Sequence, residues 1–326
     1  MDRVTDTNNC RIPLLVIVGP TAAGKTGFAV GLAETLGGEV VSADSVQVYR
    51  YLDIGSAKPT LEERRGVPHY MLDITEPDAD FTVFDYQKMA GDCIKKIHER
   101  GKLPILAGGT GLYIKALLDG YSFRSGKTDP SIRRKLQDEL ASYGKEFLYR
   151  KLQEVDPSTG ERLHINDSKR IIRALEYYYM TGEPISRQQE MTLVAESPYL
   201  PVVFGLETER EALYEKINRR VDLMLKNGLL NEVKNLLVRG YTGDLKPMQS
   251  LGYRHIIMYL QGKWSWEETV ATFKQDTRKF AKRQTTWFRA DKRITWLKIE
   301  PKTDLQPVFE SIYKRIAGIL TSFPEI

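Results

Sequence analysis

A chain of 326 residues with 41% hydrophobic and 28% charged side chains has the make-up of a folded globular protein with one large domain or two ordinary ones. Its apolar runs are strand-sized, its N-terminus lacks a signal-peptide core, and its two cysteines, Cys10 and Cys93, exclude a disulfide scaffold or a cysteine-rich zinc site. The net charge of +5 is unevenly placed: residues 1–120 hold 13 Lys/Arg against 16 Asp/Glu, and the remainder 35 against 27, which points to a polyanionic partner for the basic part.

The first predicted element is a buried strand over Leu14–Val18. The turn after it, Gly19-Pro20-Thr21-Ala22-Ala23-Gly24-Lys25-Thr26, fits G-x-x-x-x-G-K-[ST] without departure, and a helix carrying Phe28, Ala29, Leu32 and Ala33 follows. A strand passing through small residues into a helix aims several backbone N–H groups and the positive helix end at one spot, which suits a phosphate. Lys25 adds a mobile charge, and the Thr26 hydroxyl can meet a phosphate oxygen or Mg²⁺. The motif specifies a di- or triphosphate, not what is done to it.

Gly37-Gly38 closes the helix, and Glu39–Ser42 reads as a second strand that delivers Asp44, Ser45, Val46 and Gln47 at its C-terminal end, where ligands bind in open α/β sheets. Asp44 is then a carboxylate facing the phosphate compound, or simply a helix cap. Lys58, in a turn, could reach an anion, and Val67–Ile74 reads as a third strand whose His69 has no metal-binding neighbour. A helix over Phe81–Arg100 is predicted with Phe84, Met89, Ile94 and Ile97 in its buried stripe. The next strand, Lys102–Ala107, runs into Gly108-Gly109-Thr110-Gly111. Many P-loop hydrolases carry an Asp there to hold a magnesium-bound water, and this chain carries none.

After a helix over Leu112–Leu118 the texture turns polar. Asp129-Pro130 starts a helix with Ile132, Leu136 and Leu140, a second covers Phe147–Val155, and Asp167 caps a third. No strand signal appears before Ser197, so residues 122–197 are read as an all-helical insertion in a core formed by 1–121 and 198–326. The chain returns to the sheet at Pro201–Leu206. Thr208–Glu211 resembles a capping box for a long helix in which Arg220 falls on the apolar side, facing either an anionic ligand or an internal acid. A loop at Pro247–Arg254 offers Tyr253 for stacking and Arg254 for phosphate. A basic helix over Phe273–Arg289 follows, where Lys274, Arg278, Lys279, Lys282 and Arg283 interleave with aromatic residues. A last strand covers Ile294–Leu297 and a closing helix Leu305–Leu320.

Several segments together resemble the bacterial tRNA dimethylallyltransferases (tRNA isopentenyltransferases): GPTAAGKT at Gly19–Thr26, ADSVQVYR at Ala43–Arg50, DIGSAKP at Asp53–Pro59, PHYMLDI at Pro68–Ile74, GGTGLYIKALLDG at Gly108–Gly120, NDSKRIIRALE at Asn166–Glu176, QSLGYR at Gln249–Arg254 and AKRQTTWFR at Ala281–Arg289. The phosphate loop is widely shared; the other segments are far more restrictive.

The resemblance implies a P-loop NTPase-like parallel sheet flanked by helices, with a helical insertion that grips the tRNA anticodon stem-loop. It implies transfer of a dimethylallyl group from its diphosphate to N6 of the adenosine 3′ to the anticodon, in tRNAs reading codons that begin with U. Asp44 matches the general base, with Thr26 and Arg220 supporting the leaving group, Gly19 to Thr26 cradling the diphosphate and Mg²⁺ assisting. Matching tRNA-contact positions are Asp44, Ser45, Val46, Gln47, Thr110, Arg133, Lys169, Arg170, Ile171, Ile172, Arg173, Met248, Gln249, Ser250, Leu251, Gly252, Tyr253, Arg254, Arg283 and Gln284. A cytoplasmic monomer is expected. The alternatives are a nucleoside or small-molecule kinase, which the loop alone would allow, and a nucleotide-driven RNA-binding switch.

Overall fold

Six strands form one parallel sheet: β1 (Ile12–Val18), β2 (Gly38–Ala43), β3 (His69–Tyr70), β4 (Leu103–Gly108), β5 (Tyr199–Glu207) and β6 (Ile294–Lys298). Their spatial order is β3-β2-β4-β1-β5-β6, which puts β1 inside, between β4 and β5. The structure is a computed structural model that describes residues 11–121, 129–187, 197–299 and 305–320.

Both faces of β1 are covered, which is why its sequence is an unbroken apolar run. Leu14, Val16 and Val18 point to one side, against α3 (Val83–Glu99) and α4 (Gly111–Leu118), through Tyr86, Ile94, Ile97 and Ile114. Leu15 and Ile17 point to the other, against α1 (Lys25–Leu36), through Phe28 and Leu32. Phe309, Ile312 and Ile316 join that second face, and Phe309 meets Phe28 edge to face with ring centroids 5.2 Å apart. Each such fully buried Leu or Ile contributes roughly 1.5–3 kcal/mol.

Two expected elements differ in detail. The third strand pairs with β2 only at His69 and Tyr70, because Met71 and Asp73 take left-handed backbone angles (φ 64° and 54°) that turn the chain out of the sheet. Within α3 the buried stripe is Tyr86, Ala90, Ile94 and Ile97, while Phe84 and Met89 remain exposed. His69 Nδ1 donates to the Val67 carbonyl (2.8 Å), a structural role.

A third apolar cluster lies beyond the strand ends, built from Val48, Leu52, Met248, Tyr253 and Phe273 with α8 (Arg210–Lys226) and α9 (Leu229–Val238). The expected capping box at the start of α8 does not form: Glu209 is the cap without a side-chain bond, and Thr208 Oγ1 is buried with no partner among the described residues. The cluster carries two polar struts. Lys58, read from sequence as an anion ligand, is instead buried and donates to the Tyr49 carbonyl (2.9 Å), Asp53 (2.6 Å) and Asp73 (2.5 Å). Glu232 accepts from the backbone N–H groups of Asp53, Ile54 and Gly55 (3.2, 2.7 and 3.1 Å) and from the Tyr253 hydroxyl (2.7 Å).

The chain divides into two compact units, residues 1–118 with 198–326, and residues 119–197. In the second, Asp129 accepts from Ser131 N–H (2.8 Å) and Pro130 occupies the first position of α5 (Pro130–Val155). Gly144, at φ 82°, breaks α5 into the two helices that the periodicity suggests. α6 (Pro157–Arg162) and α7 (Ser168–Thr181) follow, and Leu136, Leu148, Leu152, Ile171 and Leu175 form this unit's own core. No strand occurs among its described residues. The expected boundary segment Ser122–Asp129 lies, apart from Asp129, outside the described residues.

Glu232→Ala strands four donors at once, so it should lower unfolding free energy by about 2–3 kcal/mol in urea titration. It should also speed amide exchange at residues 53–55.

Candidate active site

Three chain segments reach the same level of the sheet. Val18 at the end of β1 pairs with Gly108, and Gly108 pairs on its other side with Ala43 at the end of β2. The phosphate loop, Asp44 and the Gly108–Gly111 turn therefore leave the sheet side by side. A Cβ at Gly108 would collide with the Ala43 carbonyl, so only glycine lets β2 and β4 end this closely.

The phosphate loop has the backbone its motif demands. Gly19 sits at φ 149° with the Leu206 carbonyl 3.0 Å from where a Cβ would stand, and Gly24 is left-handed (φ 86°) at the cap of α1. No side chain caps α1, which leaves its first-turn N–H groups for a ligand. Ala22 holds a left-handed φ of 63°, a strained angle for a non-glycine residue. The N–H of Thr21, however, already donates to Gln284 Oε1 (2.8 Å).

Lys25 is half-buried and donates from Nζ to the Pro20 carbonyl (2.7 Å). Burial first, then the nearby Arg220 guanidinium, pull its ammonium down to about 7, with Asp44 opposing. Arg220 is likewise pushed down by burial and held up by Asp44 and Glu63. It forms no ion pair among the described residues, and the charges that act on it are the acids Asp44 and Glu63 and the cation Lys25. The Thr26 hydroxyl has no protein partner among the described residues, which fits a metal or phosphate ligand.

Asp44 caps a turn rather than a helix, since no helix follows it, and remains the candidate base. Its Oδ1 accepts from the N–H groups of Val46 (2.8 Å) and Gln47 (3.2 Å), and Oδ2 has no protein partner among the described residues. Thr110 fixes the neighbouring backbone: its Oγ1 accepts from Ser45 N–H (3.0 Å) and its own N–H donates to the Ala43 carbonyl (3.0 Å). The Gln47 amide donates to the Ser56 and Ala57 carbonyls (3.3 and 3.1 Å) and accepts from the Ser42 hydroxyl (3.0 Å). Beneath Asp44, Tyr86 and Tyr113 stack with centroids 3.9 Å apart. Burial raises both phenols, and the Asp44 charge adds to each. Sequence reasoning missed this stack; the signal was the Tyr86-Ala90-Ile94-Ile97 spacing.

Other expected contact residues divide by burial. Ser45, Lys169 and Arg170 are exposed, and Arg170 pairs with Asp167 at 3.3 Å. Arg133 and Arg173 both pair with Glu176 (2.7 and 3.0 Å). Ile171 and Ile172 are core side chains of the insertion, so they cannot present themselves to RNA. The same correction applies to Met248 and Tyr253, which are fully buried because the third cluster needs their apolar bulk; Tyr253 offers no stacking face. Gly252, at φ 87°, caps α10 (Tyr253–Leu260), and Leu251 packs on the same cluster. Ser250 donates to the Pro247 carbonyl (2.6 Å), Gln249 to the Gly243 carbonyl, and Arg254 to Asp276, which also holds the buried His255.

The basic helix α11 (Trp266–Arg289) keeps part of its expected charge. Lys274 pairs with Asp222 (2.6 Å), Lys279 with Asp276 (3.6 Å), Arg278 donates to Asn218 (2.6 Å) and Arg283 lies over the Phe280 ring. Gln284 is a tether rather than an RNA contact: it is buried, holding Thr21 through Oε1 and the Gly109 carbonyl through Nε2 (2.9 Å). Gly109 and Gly111 have no room for a Cβ because the Gln284 amide and the Trp287 indole fill that space.

A family model described as IPP transferase matches residues 47–291. A tRNA dimethylallyltransferase of Pelotomaculum thermopropionicum is 50% identical over 314 residues, covering 96% of this chain and 99% of the relative. The chain belongs to the tRNA dimethylallyltransferase family. The tRNA dimethylallyltransferase of Caldanaerobacter subterraneus is 49% identical over 95% of this chain and 99% of its own. Among solved structures, the tRNA isopentenylpyrophosphate transferase of Bacillus halodurans aligns with a TM-score of 0.71 at 43% identity, covering 95% of this chain and 97% of that one. A eukaryotic dimethylallyltransferase described as acting on tRNA aligns with a TM-score of 0.77 at 27% identity, covering 96% and 80%. The P-loop NTPase-like core is thus shared across the tRNA dimethylallyltransferases this chain resembles. Among the described residues no helix is long and apolar enough to cross a membrane.

The lowered Lys25 yields a pH test. With its ammonium near 7, Lys25 is mostly neutral at pH 8, and a bound diphosphate raises it again. Binding a diphosphate monoester should therefore take up about one proton at pH 8, and affinity should fall as pH rises above about 7. Calorimetry in two buffers of different ionisation enthalpy reads the uptake, and Lys25→Met should abolish it.

Proposed function

We propose that this protein transfers the dimethylallyl group of dimethylallyl diphosphate to N6 of the adenosine 3′ to the anticodon in tRNAs reading codons that begin with U, releasing diphosphate. One observation carries the reading: a carboxylate with a free oxygen, Asp44 Oδ2, shares one site with the two cations Lys25 and Arg220 at an uncapped phosphate loop. The adenine amine is a weak nucleophile because its lone pair is delocalised into the ring. Asp44 takes its proton as the new C–N bond forms to the allylic carbon. The C–O bond to the diphosphate breaks, and the charge left on that oxygen is met by Lys25, Thr26, Arg220 and the N–H groups of the loop.

Mg²⁺ fits as an assistant. The described residues hold no cluster of three or more His, Cys, Asp or Glu, so the ion would be held by the Thr26 hydroxyl together with phosphate oxygens, as this cation often is. It would supply charge neutralisation on the leaving group. A kinase reading is less well supported. β4 ends in Ala107 and Gly108 beside the phosphate loop and runs on into Gly109, where many phosphate-hydrolysing relatives of this fold carry an Asp.

RNA enters through a flipped adenosine. Ser45, Val46 and Gln47, around the Asp44 turn, meet it in this reading, and unstacking costs a few kcal/mol that the pocket must recover. Lys282 and Arg283 on α11, with Arg133, Lys169, Arg170 and Arg173 on the insertion, supply phosphate contacts. The protein is expected to act as a monomer in the cytoplasm.

The deciding assay uses purified protein, labelled dimethylallyl diphosphate, Mg²⁺ and unmodified tRNA. Label should move into the tRNA; phosphorylation or ATP hydrolysis with no transfer would sink the proposal. Asp44→Asn should retain both substrates yet transfer about 10²–10⁴-fold more slowly, as loss of a general base predicts. Arg220→Ala should lower kcat by about 10²–10³, and unchanged kinetics would return Arg220 to a structural role.

A further inference from the structure

The insertion contains a charge arrangement that packing alone does not explain. Glu176 on α7 is completely buried, and a single oxygen, Oε2, accepts both from Arg133 Nη2 on α5 (2.7 Å) and from Arg173 Nη1 on α7 (3.0 Å). Its other oxygen, Oε1, is buried with no hydrogen-bond partner among the described residues. An apolar side chain would fill such a position at no electrostatic cost, and half-bonded buried carboxylates are poor stabilisers.

What the arrangement does achieve is order. It draws two long, flexible side chains from two helices onto one atom, yet leaves them 39% and 35% exposed. Each guanidinium spends one terminal nitrogen on Glu176. Its remaining N–H groups are left for an acceptor outside, and the net charge of the trio is positive. Two guanidinium forks fixed side by side suit the paired non-bridging oxygens of a phosphodiester.

We propose that Glu176 is a positioning residue: it presets Arg133 and Arg173 as a fork for the RNA phosphate backbone, so that tRNA binds without first ordering them. The inference rests on tRNA being the substrate. Glu176 touches no RNA itself, and its effect runs wholly through the two arginines.

The charge and the positioning predict opposite signs, which makes the test sharp. Glu176→Gln removes a negative charge near the RNA, so a merely neutralising Glu176 gives equal or tighter tRNA binding. A positioning role gives weaker binding despite the extra positive charge. The expected result for Glu176→Gln is a tRNA Kd raised about 5- to 20-fold with a salt slope shallower by about one to two phosphate contacts. KM for dimethylallyl diphosphate, and kcat at saturating tRNA, should stay within two-fold.

In the Arg133→Ala/Arg173→Ala background the same substitution should add nothing further. Unchanged or tighter binding by Glu176→Gln, or an effect that adds fully to the arginine changes, overturns the proposal. Binding of tRNA is measured directly by fluorescence anisotropy. The positioning role is thereby read even if wild-type protein transfers no label, an outcome that would instead refute the proposed activity.

If thermal unfolding shows that Glu176→Gln does not fold, Arg133→Lys and Arg173→Lys provide the second arm. Both keep the charge but replace a fork with a point donor that cannot serve Glu176 and a phosphate together. Each should bind tRNA several-fold more weakly than wild type, and wild-type affinity in both overturns the proposal.

Discussion

The structure depends on how closely three strand ends can be brought together. β4 lies between β1 and β2, so the phosphate loop and Asp44 would stand two strand spacings apart, roughly 9–10 Å, with a third chain in between. The constraint is relieved by making that third chain almost all backbone. Gly108, Gly109 and Gly111 have no side chains to intrude, and the space a Cβ would take is filled by the Ala43 carbonyl, the Gln284 amide and the Trp287 indole. The Gly-rich turn therefore lets Ala43, Gln284 and Trp287 close on it, so that the strand ends carrying Asp44 and the phosphate loop stay as near as the sheet allows. A carboxylate at the end of β4 would place a third charged group between them. Its absence belongs with chemistry in which phosphate leaves but is not itself attacked.

Electrostatics then sets what the site wants. Lys25 and Arg220 repel one another, both are lowered by burial, and Asp44 is the acid that most directly holds them up. Such a cluster is unfavourable when empty and is relieved by an anion with more charge than one carboxylate can supply. A diphosphate meets that need and frees Asp44 from its role as counter-ion. Oδ2 has no protein partner among the described residues, while Oδ1 is fixed by Val46 and Gln47. Cap and base are compatible roles because a carboxylate has two oxygens.

What could be read from the chain follows from which interactions are local. The phosphate loop, the Gly37 and Asp129 caps, the two-helix pattern either side of Gly144 and most strand textures are encoded within a few residues and appear where the pattern puts them, the shortened third strand excepted. Side-chain fate is different, since it depends on partners far away in sequence. Lys58 reads as an anion ligand in its own turn, but Asp73 closes on it; Tyr253 reads as a stacking platform, but Glu232 on α9 and the third cluster cover it. Phe84 and Met89 stay outside the core for a related reason. A helix on a sheet face can bury an Ala and a Tyr instead of its bulkier apolar residues, and only the tertiary packing decides which face turns in.

Gln284 shows what such long-range contacts can add to function. It sits on the basic helix 263 residues from Thr21 and bonds the phosphate loop and the Gly109 turn with one amide. It therefore consumes an N–H that a generic phosphate loop would offer to its ligand, and leaves the loop with fewer free donors. In return the loop, the Gly-rich turn and α11 become one rigid piece. A loop meant to bind and release a triphosphate repeatedly has little use for such a brace. A loop that must hold a diphosphate in line with an adenine amine has good reason for it, because misplacing the reacting atoms by about 1 Å can cost 10²-fold in rate.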